Sequence, residues 1–306
     1  MSPDLETFQL EMGQASQLAM SATLFCMMLA VALGLKVSDF GFIKTAPRLF
    51  IAGFLGQILA LPLLTLSLCF LLDPHPSIAL GMLLISCCPG GNVSNILVLL
   101  SRGNAALSVS LTATSSVLAA FFTPIAILFW TSQYPPTEQM LSSINLDVVS
   151  FLVQTMAILA LPLLLGMLCA KFVPAVATRL RKPLVTLSSI ALTLIIIITT
   201  LKAGDLIIAV GSAIIGIVAL HNALAYACGY IIARVARADV PSRRAITFEI
   251  GIQNAGLGIV IIMSQFGGIG ATAAIAGLWG TWHIMAGMAL LAMFRLSDKL
   301  NINPPT

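Results

Sequence analysis

Glu249 is the one acidic residue well inside an apolar stretch of this 306-residue chain, at the head of Glu249-Ile250-Gly251-Ile252-Gln253-Asn254-Ala255-Gly256-Leu257-Gly258. Burying a carboxylate in hydrocarbon costs at least about 2.5 kcal/mol. Two readings account for it. It lies near the end of its helix and pairs with Arg243 or Arg244, or it is a cation ligand. Backbone carbonyls released at Gly251 and the amide of Gln253 beside it favour the second, because carboxylate, carbonyl and hydroxyl oxygens suit hard cations. A second set of oxygens points the same way. Ser108 and Thr112 are four residues apart, so a helix presents both hydroxyls on one face. Only Arg102-Gly103-Asn104 separates that helix from Cys87-Cys88-Pro89-Gly90-Gly91-Asn92-Val93-Ser94-Asn95, so the face can meet Ser94 and Asn95. Hydroxyls in membrane helices ordinarily bond their own carbonyls or let helices approach. With Glu249, however, five oxygen-bearing side chains can converge.

Other polar groups are less specific. Gln57, ahead of Pro62, reads more readily as an interhelical hydrogen bonder than as a ligand. His221, His283 and vicinal Cys87-Cys88 have no metal-ligand spacing, and neighbouring cysteines on a helix do not face one another. His283 is either a polar contact near a substrate cavity or a packed, hydrogen-bonded histidine. No Lys or Arg lies inside an apolar span, so an anion would be met instead by backbone amides opening the half-helices near 91–93 and 254–256. Asn92 and Asn254 would add side-chain donors.

These residues must be held by membrane helices. The chain is 59% hydrophobic and 8% charged, against about 25% charged in soluble domains. The net charge of +4 therefore implies nothing about nucleic acid. Runs of about 20 apolar residues predict nine spans, near 14–35, 47–72, 77–101, 105–131, 147–170, 183–201, 206–233, 245–265 and 273–294, joined by short connections. Of the 15 Lys and Arg residues, all but Lys202 fall on one side of that alternation. The positive-inside rule makes that side cytoplasmic, with the N-terminus and its Asp4, Glu6 and Glu11 outside and the C-terminus inside. No cleavable signal is expected, and the six cysteines fall within spans, where packing is their default role.

Two of the spans are interrupted at their middles by glycine, proline and amide residues. Such breaks are tolerated where freed backbone groups line a cavity, and a matching pair marks a transporter's binding site. The broken spans are the third and eighth, an odd number apart, so they run in opposite directions. Helices five to nine then form a five-helix unit, and helices one to four repeat it inverted with the first helix missing. The predicted fold is an all-α polytopic membrane protein, with a core near 47–131 and 206–295 around two crossed broken helices and a panel near 14–35 and 147–201.

The motifs 87–95, Arg-Gly-Asn-Ala-Ala-Leu-Ser (102–108), Leu-His-Asn (220–222) and 249–257 together resemble those of the bile acid:sodium symporter family, over the chain from about residue 20 onward. The resemblance implies a core domain with two crossed, broken helices and a panel that moves against it. It implies a first sodium site of Ser94, Asn95, Ser108, Thr112 and Glu249. A second would use Gln57, Glu249, Gln253 and the carbonyls of Ile250 and Ile252, which raises Gln57 from packing to ligand. Substrate would meet Asn92, Val93, Asn254 and His283. Bacterial members commonly have ten helices, whereas here the first is expected to be absent, as in animal members; the chain also departs from them in Asn92 where they have threonine and in Ile284 where they have asparagine.

The expected function is sodium-coupled symport of an organic anion, bile acid-like or a small carboxylate such as pantoate, by alternating access in the cell membrane. No cofactor is implied beyond sodium as coupling ion, and no nucleic acid or obligate protein partner. A proton-coupled or sodium-independent carrier is the alternative within transport, and a non-transporting membrane sensor the alternative outside it. An enzyme is not expected, since Asp205 has no second intramembrane aspartate to work with.

Overall fold

The computed structural model describes residues 14–144, 146–202, 204–266 and 269–300, without the side chains of 14–17, 37, 195, 196, 199–202, 204–213 and 270. Asp4, Glu6 and Glu11, and the side chains of Lys202 and Asp205, lie outside the described residues. Helices make up nearly all of the described chain, and no strand is present among the described residues. Helices α1 (Gln14–Ala32), α2 (Pro47–Leu72), α3 (Pro76–Ser86), α4 (Val93–Leu100), α5 (Ala105–Ser132) and α6 (Pro135–Ser143) form the first half. The second half contains α7 (Val148–Phe172), α8 (Pro174–Lys202), α9 (Gly204–Val235), α10 (Val240–Gly251), α11 (Ala255–Gln265) and α12 (Gly270–Lys299). Helices α2, α5, α7 and the described parts of α9 and α12 are each long and apolar enough to cross a membrane. Leu63, Leu71, Phe121, Ile125, Leu164 and Leu168 are more than half exposed, as a hydrocarbon-facing surface requires. The protein is a multi-pass membrane protein.

Three stretches differ from the sequence reading, the first being the connection before α2, which holds two short helical turns at Val37–Phe40 and Phe42–Thr45. The connection after α5 contains the short helix α6, and α8 begins at Pro174 rather than near 183. The apolar run begins only after Arg179, Arg181 and Lys182, whereas proline favours the first turn of a helix. In the structure Pro174 takes that place and Pro183 is carried inside the helix. At about 1.5 Å per residue, the 29 residues of α8 exceed a hydrocarbon layer about 30 Å thick. Its basic first turns, with Arg179, Arg181 and Lys182, thus project beyond the apolar slab. Helix α7 starts cleanly because Asp147 caps it, accepting from the amides of Val149 (3.1 Å) and Ser150 (3.2 Å). The Ser150 hydroxyl also donates to Asp147, and these bonds hold its carboxyl below the ordinary range.

The interruptions fall where glycine and proline sit. Helix α3 stops at Ser86 and α4 starts at Val93, while α10 stops at Gly251 and α11 starts at Ala255. Each break supplies what the other lacks. Gly90 and Gln253 form an antiparallel bridge, in which the Gly91 amide donates to Ile252 O (3.1 Å) and the Asn254 amide to Pro89 O (2.8 Å). Buried peptide groups need such partners where water is absent. A Cβ at Gly91 would stand 3.0 Å from Gln253 O, so the approach depends on glycine. Around this crossover, α10 packs against α9, α4 and α5, and α3 packs against α12. Helix α1 packs mainly against α7 and α8.

At the far end of α10, the buried Arg244 guanidinium pairs with Asp298 of α12, donates to Ser101 O and lies over the Phe294 ring, 5.2 Å from its centroid. Removing one member of a buried pair leaves an uncompensated charge, at a cost on the order of 3 kcal/mol. Arg244→Ala is therefore expected to lower the Tm of the purified protein, and Arg244→Met with Asp298→Leu to restore most of it. An unchanged Tm in Arg244→Ala would show that the pair holds nothing together.

Candidate functional site

Glu249 lies on the last turn of α10, three residues before the break, and is fully buried. The Ser94 hydroxyl donates to its Oε1, Ser108 Oγ does so at 2.6 Å, and Thr112 Oγ1 reaches Oε1 and Oε2 at 2.8 Å each. Asn95 Oδ1 accepts from Ser108 (2.8 Å) and Thr112 (3.4 Å), completing a ring of five oxygen-bearing side chains. Three elements build it. The first turn of α4 carries Ser94 and Asn95, α5 carries Ser108 and Thr112, and α10 carries Glu249.

The turn between α4 and α5 is fixed by Asn104, which caps α5 by accepting from Leu107 N (3.0 Å) and donates to Ser242 Oγ (3.1 Å) at the start of α10. One cap therefore sets both the hydroxyl face and the carboxylate helix. Of the two sequence readings of Glu249, the pairing with arginine is absent. Arg244 is committed to Asp298, and Arg243 donates to Ala238 O and lies over Tyr230. Among the described residues no basic side chain compensates the Glu249 carboxylate.

Gln57 approaches that carboxylate across Gly90, and Gln253 faces Gly90 through the backbone bridge. A Cβ at Gly90 would stand 2.7 Å from Glu249 Oε2 and 3.3 Å from Gln57 Nε2. Gln57 is buried with neither amide atom hydrogen-bonded, and Gln253 is buried with Oε1 unpaired. Gln253 Nε2 donates to Ile250 O at 2.8 Å, and Ile252 O accepts from Gly91. Each of those two carbonyls thus has one partner and a second lone pair still free. Gln57 belongs to a π-helical turn, Gly56–Ala60, inside α2. Pro62 has no amide to give to Ile58 and its ring crowds that carbonyl, and the turn widens there. Such π turns recur at functional sites. Buried oxygens lacking donors, grouped around a carboxylate, have the chemistry to hold a desolvated hard cation.

Asn222, which the sequence marks only as part of the Leu-His-Asn motif, gains a specific role. Its Nδ2 donates to Gly251 O (2.8 Å), satisfying the carbonyl released at the end of α10. The Leu-His-Asn run was the available signal, but its partner lies 29 residues away. Its neighbour His221 bonds Thr65 Oγ1 through Nε2 at 2.7 Å and packs on Trp279.

A cavity of about 420 Å3 adjoins the hydroxyl ring. Asn92, Asn95, Thr112 and Ser116 line one wall; Met27 and Gly34 of the α1 segment and Arg181, Val185 and Ser188 of α8 line the other. Asn92 makes no cap bond and is exposed toward this space, whereas Asn254 spends Oδ1 on Leu257 N (3.1 Å) and keeps only its amide hydrogens. Val93, Asn254 and His283 do not line the cavity. His283 is buried, its Nδ1 2.7 Å from Trp279 O, as a packed histidine would be. Arg181 corrects a sequence expectation: a basic side chain does reach the cavity, because α8 starts two turns earlier than its apolar run.

Residues 21–210 match the Sodium Bile acid symporter family. The chain is 28% identical, over 86% of its length, to an uncharacterized sodium-dependent transporter of Bacillus subtilis, covering 78% of that protein. It is 30% identical, over 88% of its length, to a probable chloroplastic sodium/metabolite cotransporter of Arabidopsis thaliana, covering 65% of it. It is 31% identical, over 70% of its length, to the ileal sodium/bile acid cotransporter of Homo sapiens, covering 60% of it. The chain thus spans less than two thirds of the plant and human relatives. The relatives are transporters, not enzymes. With well over half of its length matched, the chain belongs to the sodium bile acid symporter family.

Proposed function

We propose that this protein is a sodium-coupled symporter of an organic anion, working by alternating access. The observation that carries the reading is the buried Glu249 carboxylate, ringed by three hydroxyls and an amide oxygen and given no basic partner. A buried charge without compensation costs several kcal/mol, and a bound cation removes that cost. Sodium fits the ring because every donor is a hard oxygen. Ser94, Asn95, Ser108, Thr112 and Glu249 would hold the first ion; Gln57, Glu249 again, Gln253 and the Ile250 and Ile252 carbonyls the second. No other cofactor is proposed.

Nine spans would make up the fold, as an inverted repeat lacking its first helix. The α3–α4 and α10–α11 pairs would be equivalent broken spans of opposite direction. Their mutual hydrogen bonds at Gly90 and Gln253 support that equivalence. The packing of α1 against α7 and α8 supports a panel of these three helices beside a core built from the rest. The 420 Å3 cavity lies along that seam, with core residues on one wall and panel residues on the other. Panel motion would close it at one end and open it at the other. The positive-inside rule puts the Lys36 and Arg181 end in the cytoplasm, so the arrangement supports an inward-open conformation. The cargo would be a bile acid-like anion or a small carboxylate such as pantoate.

The test is uptake into proteoliposomes with an inward sodium gradient, compared with choline. Uptake is expected only in sodium, and Gln253→Ala is expected to reduce it at least tenfold at low sodium. Equal uptake in choline would end the sodium reading and leave a carrier coupled to protons or to nothing.

A further inference from the structure

Arg181 is the only described basic side chain lining the cavity that also contains Asn92, Asn95 and Thr112. It also lines a second cavity of about 600 Å3, shared with Lys36 and Lys182 at the basic end of the molecule. The two spaces have Gly34, Leu35, Arg181 and Val185 in common. The guanidinium therefore stands at the neck between the interior cavity and its basic mouth. Its place there is built. A Cβ at Gly34 would lie 2.5 Å from Arg181 Nε and 2.6 Å from Cζ, so the planar group lies flat against a backbone left bare by glycine.

Charge at the neck has few competitors. Asp39 lines the same cavity, with its Oδ2 accepting from the Lys36 amide at 2.8 Å, and among the described residues Arg181 forms no ion pair with it. Ser188 lines the wall one to two turns further along α8, with its hydroxyl committed to Leu184 O (2.7 Å). The guanidinium is thus the strongest donor facing the space. A fixed fork of N–H groups matches a carboxylate in two parallel hydrogen bonds, which an ammonium or a hydroxyl cannot do.

We propose that Arg181 recognises the anionic head of the transported solute, and that it prefers carboxylates over uncharged analogues of the same shape. This rests on the transport reading for the solute's passage, but not for its binding. The anion enters with its body against Asn92 and the half-helix, and its carboxylate is handed to Arg181 at the neck on the way to the basic mouth. Specificity for charge then resides on α8, opposite the oxygens around Glu249, so that substrate and cation are held by different walls of one cavity.

The experiment measures binding apart from transport. Purified protein in sodium buffer is titrated, by thermal shift, with pantoate, an unconjugated bile salt, a set of small monocarboxylates and the primary amide of each carboxylate. At least one anion is expected to stabilise the wild type, its amide at least tenfold less well. Arg181→Ala is expected to raise the half-saturating concentration of that anion at least tenfold, and Arg181→Lys less. The sodium concentration that stabilises the protein should stay within twofold in both variants. Gly34→Ala displaces only the end of a flexible side chain, so it should fold normally and weaken the same anion threefold or more.

An Arg181→Ala variant that binds the anion within twofold of wild type overturns the proposal. So does a wild type stabilised by no anion, or equally by amide and carboxylate. Anion binding that depends on Arg181 without any uptake in proteoliposomes would sustain the site and end the transport reading instead.

Discussion

Glu249→Gln is expected to abolish sodium-dependent uptake while leaving the protein folded. The amide has nearly the volume of the carboxylate, so the packing of α10 against α4 and α5 survives. What changes is charge. Two unit charges about 4 Å apart interact by about 4 kcal/mol at an effective dielectric of 20, equivalent to roughly a thousandfold in affinity. Sodium binding should therefore fall beyond reach of ordinary buffers. The same substitution removes an uncompensated buried charge, so in sodium-free buffer the variant should be as stable as wild type or more so. Wild type gains about 2.7 kcal/mol when sodium stands at a hundred times its dissociation constant, and the variant should gain nothing. Thermal unfolding with sodium or choline reads both signs at once. A Glu249→Gln protein that keeps its sodium-induced rise in Tm would sink the cation reading outright.

The site was legible in the sequence as far as local chemistry reaches. Ser108 and Thr112 shared a face by spacing alone, the Arg102-Gly103-Asn104 turn brought that face back to Ser94 and Asn95, and glycine and proline marked both breaks. The sequence favoured cation binding over arginine pairing at Glu249, but what keeps Arg244 away was not legible. It depended on Asp298, 54 residues from Arg244, holding the guanidinium elsewhere. The fit of the two breaks was likewise beyond local reading, since Pro89 and Asn254 meet across most of the chain. Asn92 and Asn254 looked equivalent at the starts of two half-helices. Backbone geometry separates them: Asn92 is already helical, with φ of −56° and no cap bond, whereas Asn254 at φ of −76° and ψ of 75° turns its oxygen onto Leu257. Arg181 was hidden by hydropathy, because the charged opening turns of α8 read as loop although the helix runs through them.

Gly90→Ala is expected to cost nearly as much transport as loss of the carboxylate, for a steric reason. The added methyl would stand 2.7 Å from Glu249 Oε2 and 3.3 Å from Gln57 Nε2. A flexible side chain end could swing away at little cost, but Glu249 is held by the hydroxyls of Ser94, Ser108 and Thr112. Relief therefore has to come from the Gly90–Gln253 bridge or from Gln57, and either shift spreads the oxygens proposed to hold the second ion. Overpacking of this kind costs about 1–3 kcal/mol, which a cooperative bundle survives. Misplacing ligands by several tenths of an ångström is far more damaging to binding of a small cation, whose oxygen distances must match its radius. The variant should thus remain folded, keep anion binding at Arg181, and show uptake reduced on the order of a hundredfold with a markedly higher sodium requirement. Gln57→Ala in the same background lets the backbone at residue 90 shift away from Glu249 but deletes a ligand, so it should restore part of the stability without restoring transport. Recovery of uptake in that double variant would mean that Gln57 only packs and that the second cation site does not include it.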